Sequence, residues 1–476
     1  MSQFDMPPAE FRHFGYEVVD WIESYLTNVG ELRVLPNVRP GDVIDSLPSS
    51  APDDPEPMEQ ILADFRERIV PALSHWNHPR FHAFFANTAS APGILAEALA
   101  AAVNTNGMLW KASPAHVELE QVVLSWLRQW LGLPGEFFGE IMDTASVSTL
   151  QAIAAARSQA DPELRTRGAR QGMILYASEH AHSSIEKGAL ALGIGQDNVR
   201  KIGVDAEYRM LPHLLRAAIT EDRQNGLTPF CVVSTVGTTS VTSIDPVAAI
   251  QKIVEEEGLW HHIDAAYGGP AAILAENRWM LEGAERADSL VINPHKWLFT
   301  PVDCSVFYCR KPEILRRAFS LVPEYLRTDQ HDRAVNFMDY GVALGRRFRA
   351  LKLWFIMRYF GRKKIEEILR FHISLAHELS AAVNADARFE IVAPTTLSLV
   401  CFRYRGSDEE NKQIIGRLND SGFTFLAGNV LDGRFVIRYA IGNIATTRED
   451  VFAVWARIQA AAEAVAAGAS VAESVS

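Results

Sequence analysis

The sequence predicts an α/β chain built on a mostly parallel sheet, followed by a smaller α+β region. Three observations predict this. Short apolar runs alternate with helical stretches from about Phe84 to Phe360, the pattern of a sheet covered on both faces. Two of these runs end in residues with chemistry. Gly258 to Ile263 leads into Asp264-Ala265-Ala266, and Ser289 to Ile292 leads into Asn293-Pro294-His295-Lys296-Trp297. After Gly361 the pattern changes to one long helical run, then strands with an Asp432-Gly433 hairpin turn.

Each element has its own signal. Phe11, Phe14, Val18, Ile22 and Tyr25 recur at three- and four-residue steps, which makes one apolar helical stripe. Polar, Pro-rich sequence follows from Asn37 to Pro57. Met173 to Tyr176, Phe230 to Ser234, Leu259 to Ile263, Leu290 to Ile292 and Ser305 to Cys309 read as strands, with helices such as Pro246 to Glu257 between them. An alanine-rich helix begins near Val147, after Asp143-Thr144-Ala145-Ser146. In the last region Phe389 to Val392, Leu397 to Tyr404, Phe423 to Ala427 and Arg434 to Ile441 read as strands. Thr446-Thr447-Arg448-Glu449 reads as the capping box of a final helix. The resulting boundaries are 1–83 (a helical segment), 84–360 (the large domain) and 361–476 (the small domain).

Composition narrows the function. With 476 residues, 48% hydrophobic and 22% charged, the chain is of ordinary globular type. A net charge of −12 argues against nucleic acid or an anionic membrane as partner. Met1 to Pro8 carries neither a basic start nor an apolar core, so no secretory signal is expected, and no apolar run approaches a membrane span. Cys231, Cys304, Cys309 and Cys401 lack metal-ligand spacing; buried reduced thiols of a cytoplasmic protein, with no metal, are expected.

In an open α/β sheet, ligands bind beyond the carboxyl ends of the strands. Asp264 and Lys296 would therefore face one crevice. An acid beside a ring nitrogen and a lysine able to condense with an aldehyde are what pyridoxal 5'-phosphate needs from a protein. Small residues at the helix start near Thr144 leave N–H groups free to hold a phosphate dianion. The alternative for each segment alone is a turn-capping aspartate and a surface lysine.

Over about Phe11 to Ala461 the chain resembles the pyridoxal-phosphate-dependent aromatic L-amino acid decarboxylases, the group that includes DOPA, tyrosine and tryptophan decarboxylases. The resemblance is carried by His75-Trp76, Ser113-Pro114-Ala115, Ala181-His182-Ser183-Ser184, Gly237-Thr238-Thr239, His262-Ile263-Asp264-Ala265-Ala266-Tyr267, Asn293-Pro294-His295-Lys296-Trp297 and Gly345-Arg346-Arg347-Phe348-Arg349. It implies the fold type I, aspartate aminotransferase-like architecture and release of CO2 from an aromatic L-amino acid to give its amine. It implies that Thr144, Ala145, Asn293 and His295 contact the phosphate, and that His182 and Ala266 lie on the two faces of the ring, His182 also near the substrate carboxylate. Thr239 lines the site, with Thr238 one position away as the alternative. Asp264, Lys296, His182 and Tyr325 are the implied catalytic residues, Tyr325 as proton donor to Cα on a polar lid loop.

For the substrate ring the resemblance implies Trp76, Phe84, Phe85 and Asn87, with Met108 and Leu109 supplied by the other subunit of a homodimer on which the N-terminal helix also packs. No Arg or Lys stands at the matching positions to pair with an acidic side chain. Two departures stand out. Val147 replaces an acid, and Ala343, in Asp339-Tyr340-Gly341-Val342-Ala343-Leu344-Gly345, lies where the family has a Trp-Gln-Ile-Pro run, so small residues widen the pocket. Three other readings compete. An oxygen-dependent aldehyde synthase would replace the loop tyrosine or the stacking histidine, both of which are present. An aminotransferase would use an arginine such as Arg438 for the α-carboxylate. An inactive scaffold would not keep Asp264, Lys296 and Tyr325 together.

Overall fold

Apolar runs without alternation must be buried on both faces, and the five runs named above are buried almost throughout. The computed structural model describes residues 4–321 and 334–468. Its main sheet has seven strands: β1 (Phe138–Met142), β2 (Met173–Ser178), β3 (Val199–Ile202), β4 (Thr228–Thr235), β5 (Trp260–Asp264), β6 (Ser289–Ile292) and β7 (Ser305–Cys309). Their order is β1-β7-β6-β5-β4-β2-β3. Only β7 runs antiparallel to its neighbours. The mostly parallel α/β expectation holds.

Two strands escaped the sequence reading, β1 and β3, and both lie at sheet edges. Gly139 and Glu140 interrupt the apolar run of β1, and Arg200 and Lys201 occupy the half-exposed middle of β3. Neither could read as a buried run.

The helix Ala145–Ala160 is the element that matters most for the site. Ala152, Ile153, Ala155 and Ala156 are buried in one cluster with Leu175, Ala177, Val233 and Phe307 of the sheet. Alanines let the helix axis lie close to the strands, which sets where its N-terminus stands. Truncating the buried Ile153 to Ala would cost roughly 2–5 kcal/mol.

A second sheet has the order β10-β11-β9-β8, from β8 (Phe389–Ile391), β9 (Leu399–Tyr404), β10 (Ala427–Leu431) and β11 (Arg434–Ala440). The Asp432-Gly433 turn is present, both residues with positive φ of 49° and 74°. It sets Leu431 opposite Arg434, so pairing runs back only to Ala427. The strand expected at Phe423 to Ala427 is therefore displaced. Its residues instead meet the 80–82 segment, Phe425 N–H donating to the Arg80 carbonyl and Phe425 bridging Phe81. The final capping box is also shifted by one residue. Thr447, not Thr446, exchanges hydrogen bonds with Asp450, and Thr446 Oγ1 donates to the Pro79 carbonyl.

By contacts the chain forms two compact units. One takes in the N-terminal residues up to Ala86, Ala381–Glu390 and the chain from Phe402; the other is Asn87–Ser380 with Ile391–Cys401. The N-terminal helix, Pro8–Asn28, buries only Phe14 in the single chain, while Phe11 and Val18 are exposed. The long helix Arg349–Ala385 is broken at Gly361, whose φ of 64° lies outside helical space. Among the described residues no helix is long and apolar enough to cross a membrane.

Candidate active site

Loops that leave parallel strands at their carboxyl ends converge on one cavity of about 210 Å³ within the larger unit. Its wall includes Thr144, Ala145, His182, Thr239, Asp264, Ala266, Asn293, His295 and Lys296. Every residue expected to hold the cofactor thus lines a single space. Gly237 allows this convergence. Its φ is 87°, and a Cβ there would sit 2.9 Å from the Gly268 backbone nitrogen, so the β4 and β5 loops can approach only without a side chain.

Lys296 follows β6, and Asp264 ends the adjacent β5. Desolvation lowers the Lys296 pKa from its usual 10.5, and the Asp264 charge acts against that shift. The outcome favours a neutral amine. One Asp264 oxygen, Oδ1, accepts the Ala266 N–H at 3.1 Å, which orients the carboxylate.

His182 is exposed to the open cavity of the single chain, yet enough protein surrounds its ring for desolvation to lower its pKa; the Asp264 charge opposes this, and Lys296 and Lys187 add to it. The Ser184 N–H donates to His182 Nδ1 at 3.1 Å. The neutral ring therefore carries its proton on Nε2. The same logic applies to His295, whose Nδ1 accepts the Cys304 N–H at 2.9 Å and whose pKa burial lowers to about 4. Both imidazoles are neutral Nε2–H donors near pH 7.

The helix Ala145–Ala160 begins after Thr144, on the cavity wall, with no side-chain cap. The Val147 N–H donates to the Thr144 carbonyl, and an anion at the N–H groups of Ala145 and Ser146 is favoured by the helix dipole. Thr239 faces the cavity, whereas Thr238 is buried and tied to Ser243 Oγ at 2.8 Å. Two buried side-chain atoms on the cavity wall, Asn293 Oδ1 and Thr235 Oγ1, have no hydrogen-bond partner among the described residues. Backbone anion donors, a carboxylate, a lysine of lowered pKa and unsatisfied polar atoms on the wall of one cavity fit pyridoxal 5'-phosphate.

The residues expected around a substrate ring divide between the two units. Trp76 stacks on Phe81 at 4.4 Å and on Phe84 at 5.9 Å, and Phe84 meets Phe425 edge-on, all within the smaller unit. Phe85 lies in that unit too, with the Arg438 guanidinium 5.4 Å from its ring. Asn87, Met108 and Leu109 belong to the larger unit but do not line the cavity, and Met108 accepts the Met338 N–H through its carbonyl. Ala343 is exposed, between exposed Val342 and Leu344. Tyr325 lies outside the described residues. The sequence reading did not single out Ser146, Ser184, Thr235 or Tyr267 as wall residues. Tyr267 lines the cavity and stacks parallel on Trp297 at 4.9 Å. The signal for Thr235 was its place at the end of an apolar run, as for Asp264.

Comparison with known proteins agrees with this chemistry. Residues 40–405 match the family model described as the pyridoxal-dependent decarboxylase conserved domain. The chain is 40% identical over 477 residues to aromatic-L-amino-acid decarboxylase of Bos taurus, covering 97% of each. It is 38% identical over 473 residues to phenylacetaldehyde synthase of Arabidopsis thaliana, covering 95% of this chain and 96% of that one. The crystal structure of Oryza sativa TDC with PLP and tryptamine is similar, with a TM-score of 0.94, 36% identity, and coverage of 98% of this chain and 99% of that one.

Proposed function

The chain belongs to the pyridoxal-dependent decarboxylase family, a carboxy-lyase with pyridoxal 5'-phosphate as cofactor, and from that premise we propose that it converts an aromatic L-amino acid to its amine and CO2. One observation carries the residue assignment: Lys296, Asp264, His182 and the uncapped helix start line the same cavity. When bound, the cofactor supplies a protonated ring that accepts the electron pair left on Cα as CO2 departs. The chain's residues do the rest. Lys296, whose pKa desolvation lowers, is the nucleophile toward the cofactor aldehyde carbon. Asp264 would face the ring nitrogen and keep it protonated. His182 and Ala266 would cover the two ring faces, and the Nε2–H of His182 is a donor that would hold the substrate carboxylate with the bond to be broken perpendicular to the ring. Thr144, Ala145, Asn293 and His295 hold the phosphate, and Thr239 lines the site.

Aromatic specificity is supported by the relatives and by the described part of the cavity wall, among whose residues Lys296 is the only Lys or Arg. In this proposal Trp76, Phe84, Phe85 and Asn87, with Met108 and Leu109 from the other subunit of a homodimer, meet the substrate ring, and Ala343 widens that pocket. The exposed stripe of Phe11 and Val18 supports the dimer. Tyr325 returns a proton to Cα. A cytoplasmic location is supported by four buried, free cysteines.

Phenylacetaldehyde synthase among the relatives keeps oxygen-dependent aldehyde formation as the second reading. Incubation with phenylalanine, tyrosine, DOPA and tryptophan distinguishes the two. Amine and CO2 in equal amounts are expected, and aldehyde with ammonia and peroxide as the main products would reverse the assignment.

A further inference from the structure

One hydroxyl in the cavity wall is unaccounted for by the roles above. Thr235 is 3% exposed, and its Oγ1 has no partner among the described residues, although it lines the same cavity as Asp264. In the parallel pair β4–β5 the two residues stand directly opposite each other, so their side chains leave the same face of the sheet as immediate neighbours.

The Thr235 backbone is pinned on both sides. Its N–H donates to Asp245 Oδ2 at 2.7 Å, and its carbonyl accepts the Asp245 N–H at 2.9 Å. What freedom remains to the side chain is rotation about χ1. Beside it, the Asp264 carboxylate is held through Oδ1 by the Ala266 N–H. A carboxylate accepts at several lone pairs, and a buried hydroxyl without a partner is costly to keep. Donor and acceptor therefore stand on directly paired residues of neighbouring strands.

We propose that Thr235 is the positioning residue of Asp264: its hydroxyl donates to the carboxylate when the cofactor is seated and holds that carboxylate in line with the ring nitrogen. The Ala266 N–H and the Thr235 O–H then grip it from two sides, one from its own strand end and one from the neighbouring strand. This rests on the assignment of Asp264 to the ring nitrogen.

The test separates an unsatisfied hydroxyl from an ordinary structural one. Thr235→Val keeps the shape and deletes the donor; Thr235→Ser keeps the donor. In the cofactor-free protein, Thr235→Val should melt at or above the parent temperature, because it removes a buried polar atom that has no partner. In the same variant the cofactor dissociation constant should rise on the order of tenfold, as for loss of a hydrogen bond to a charged group. Turnover should fall while the substrate KM stays near the parent value. Thr235→Ser should bring cofactor affinity back to within about threefold of the parent. A parent-like dissociation constant for Thr235→Val would overturn the proposal, and so would a cofactor-free form that melts several degrees lower. Asp264→Asn serves as the control. If it too leaves cofactor binding and turnover unchanged, the reading of Asp264 has failed; if it weakens both while Thr235→Val does not, only the role of Thr235 has.

Discussion

Asp264 ends one strand and Lys296 follows the adjacent parallel one, and the aspartate's charge opposes the desolvation that lowers the lysine's pKa. A fully solvated lysine would be protonated and unreactive toward an aldehyde. A buried lysine without an acid nearby would be depressed still further. The pair sets a lysine of lowered pKa beside the acid assigned to the ring nitrogen.

That relationship has a consequence for stability. A lysine whose folded pKa lies below its unfolded value binds fewer protons when folded, so the cofactor-free protein gains stability as pH rises toward 10.5. Lys296→Met should abolish turnover and raise the melting temperature of the cofactor-free protein. The gain should be largest near neutral pH and shrink toward pH 10. After borohydride treatment of the parent enzyme, peptide mapping should find the cofactor on Lys296; its recovery on another lysine would displace the assignment.

A second pH effect belongs to a buried charge cluster of the larger unit. Arg346 donates to Glu120 at 2.5 Å and lies 3.5 Å from Glu140, which the Gln151 amide also contacts. One guanidinium thus serves two fully buried carboxyls, and burial pushes Glu140 up to about 7. A carboxyl raised on folding contributes stability that is complete below its ordinary pKa and lost as pH rises through the folded value. The Glu140 contribution should therefore be lost as pH rises from the ordinary carboxyl value to about 7, against the opposite trend set by Lys296. On going from pH 5 to pH 7 the urea midpoint of Glu140→Gln should shift upward relative to that of the parent.

Assembly gives a third expectation. Phe11 and Val18 are 61% and 39% exposed on the helix Pro8–Asn28. Charging both, in Phe11→Asp with Val18→Asp, should shift the protein toward monomers in light scattering and lower turnover per chain at equal cofactor loading. A doubly charged variant that stays dimeric and fully active would remove this helix from the interface.

Tyr325 carries the last. A phenol with an ordinary pKa near 10 is protonated at neutral pH and suits the return of a proton to Cα. Tyr325→Phe should slow amine formation. Under air, aldehyde, ammonia and hydrogen peroxide should appear in step with oxygen consumption; under nitrogen these products should nearly vanish. Amine made at the parent rate would transfer the donor's role, with His182 next in line.

The sequence by itself determined the α/β class, the family and the cofactor. Those properties are local: Asp264 and the Asn293-to-Trp297 segment each follow a buried apolar run, and a parallel sheet sends all such run ends to one side. The Asp432-Gly433 turn was legible for the same reason, since positive φ is a property of residue type. Tertiary structure decided what depends on neighbours distant in the chain. Strands β1 and β3 exist because a neighbouring strand pairs with them, despite the polar residues that mask them. The capping box fell to Thr447 because Thr446 was taken by the Pro79 carbonyl. Thr235 became Asp264's neighbour only through the register of β4 on β5, twenty-nine residues away in sequence. Periodicity reports which face of an element is buried; only pairing across the sheet decides which side chain that face meets.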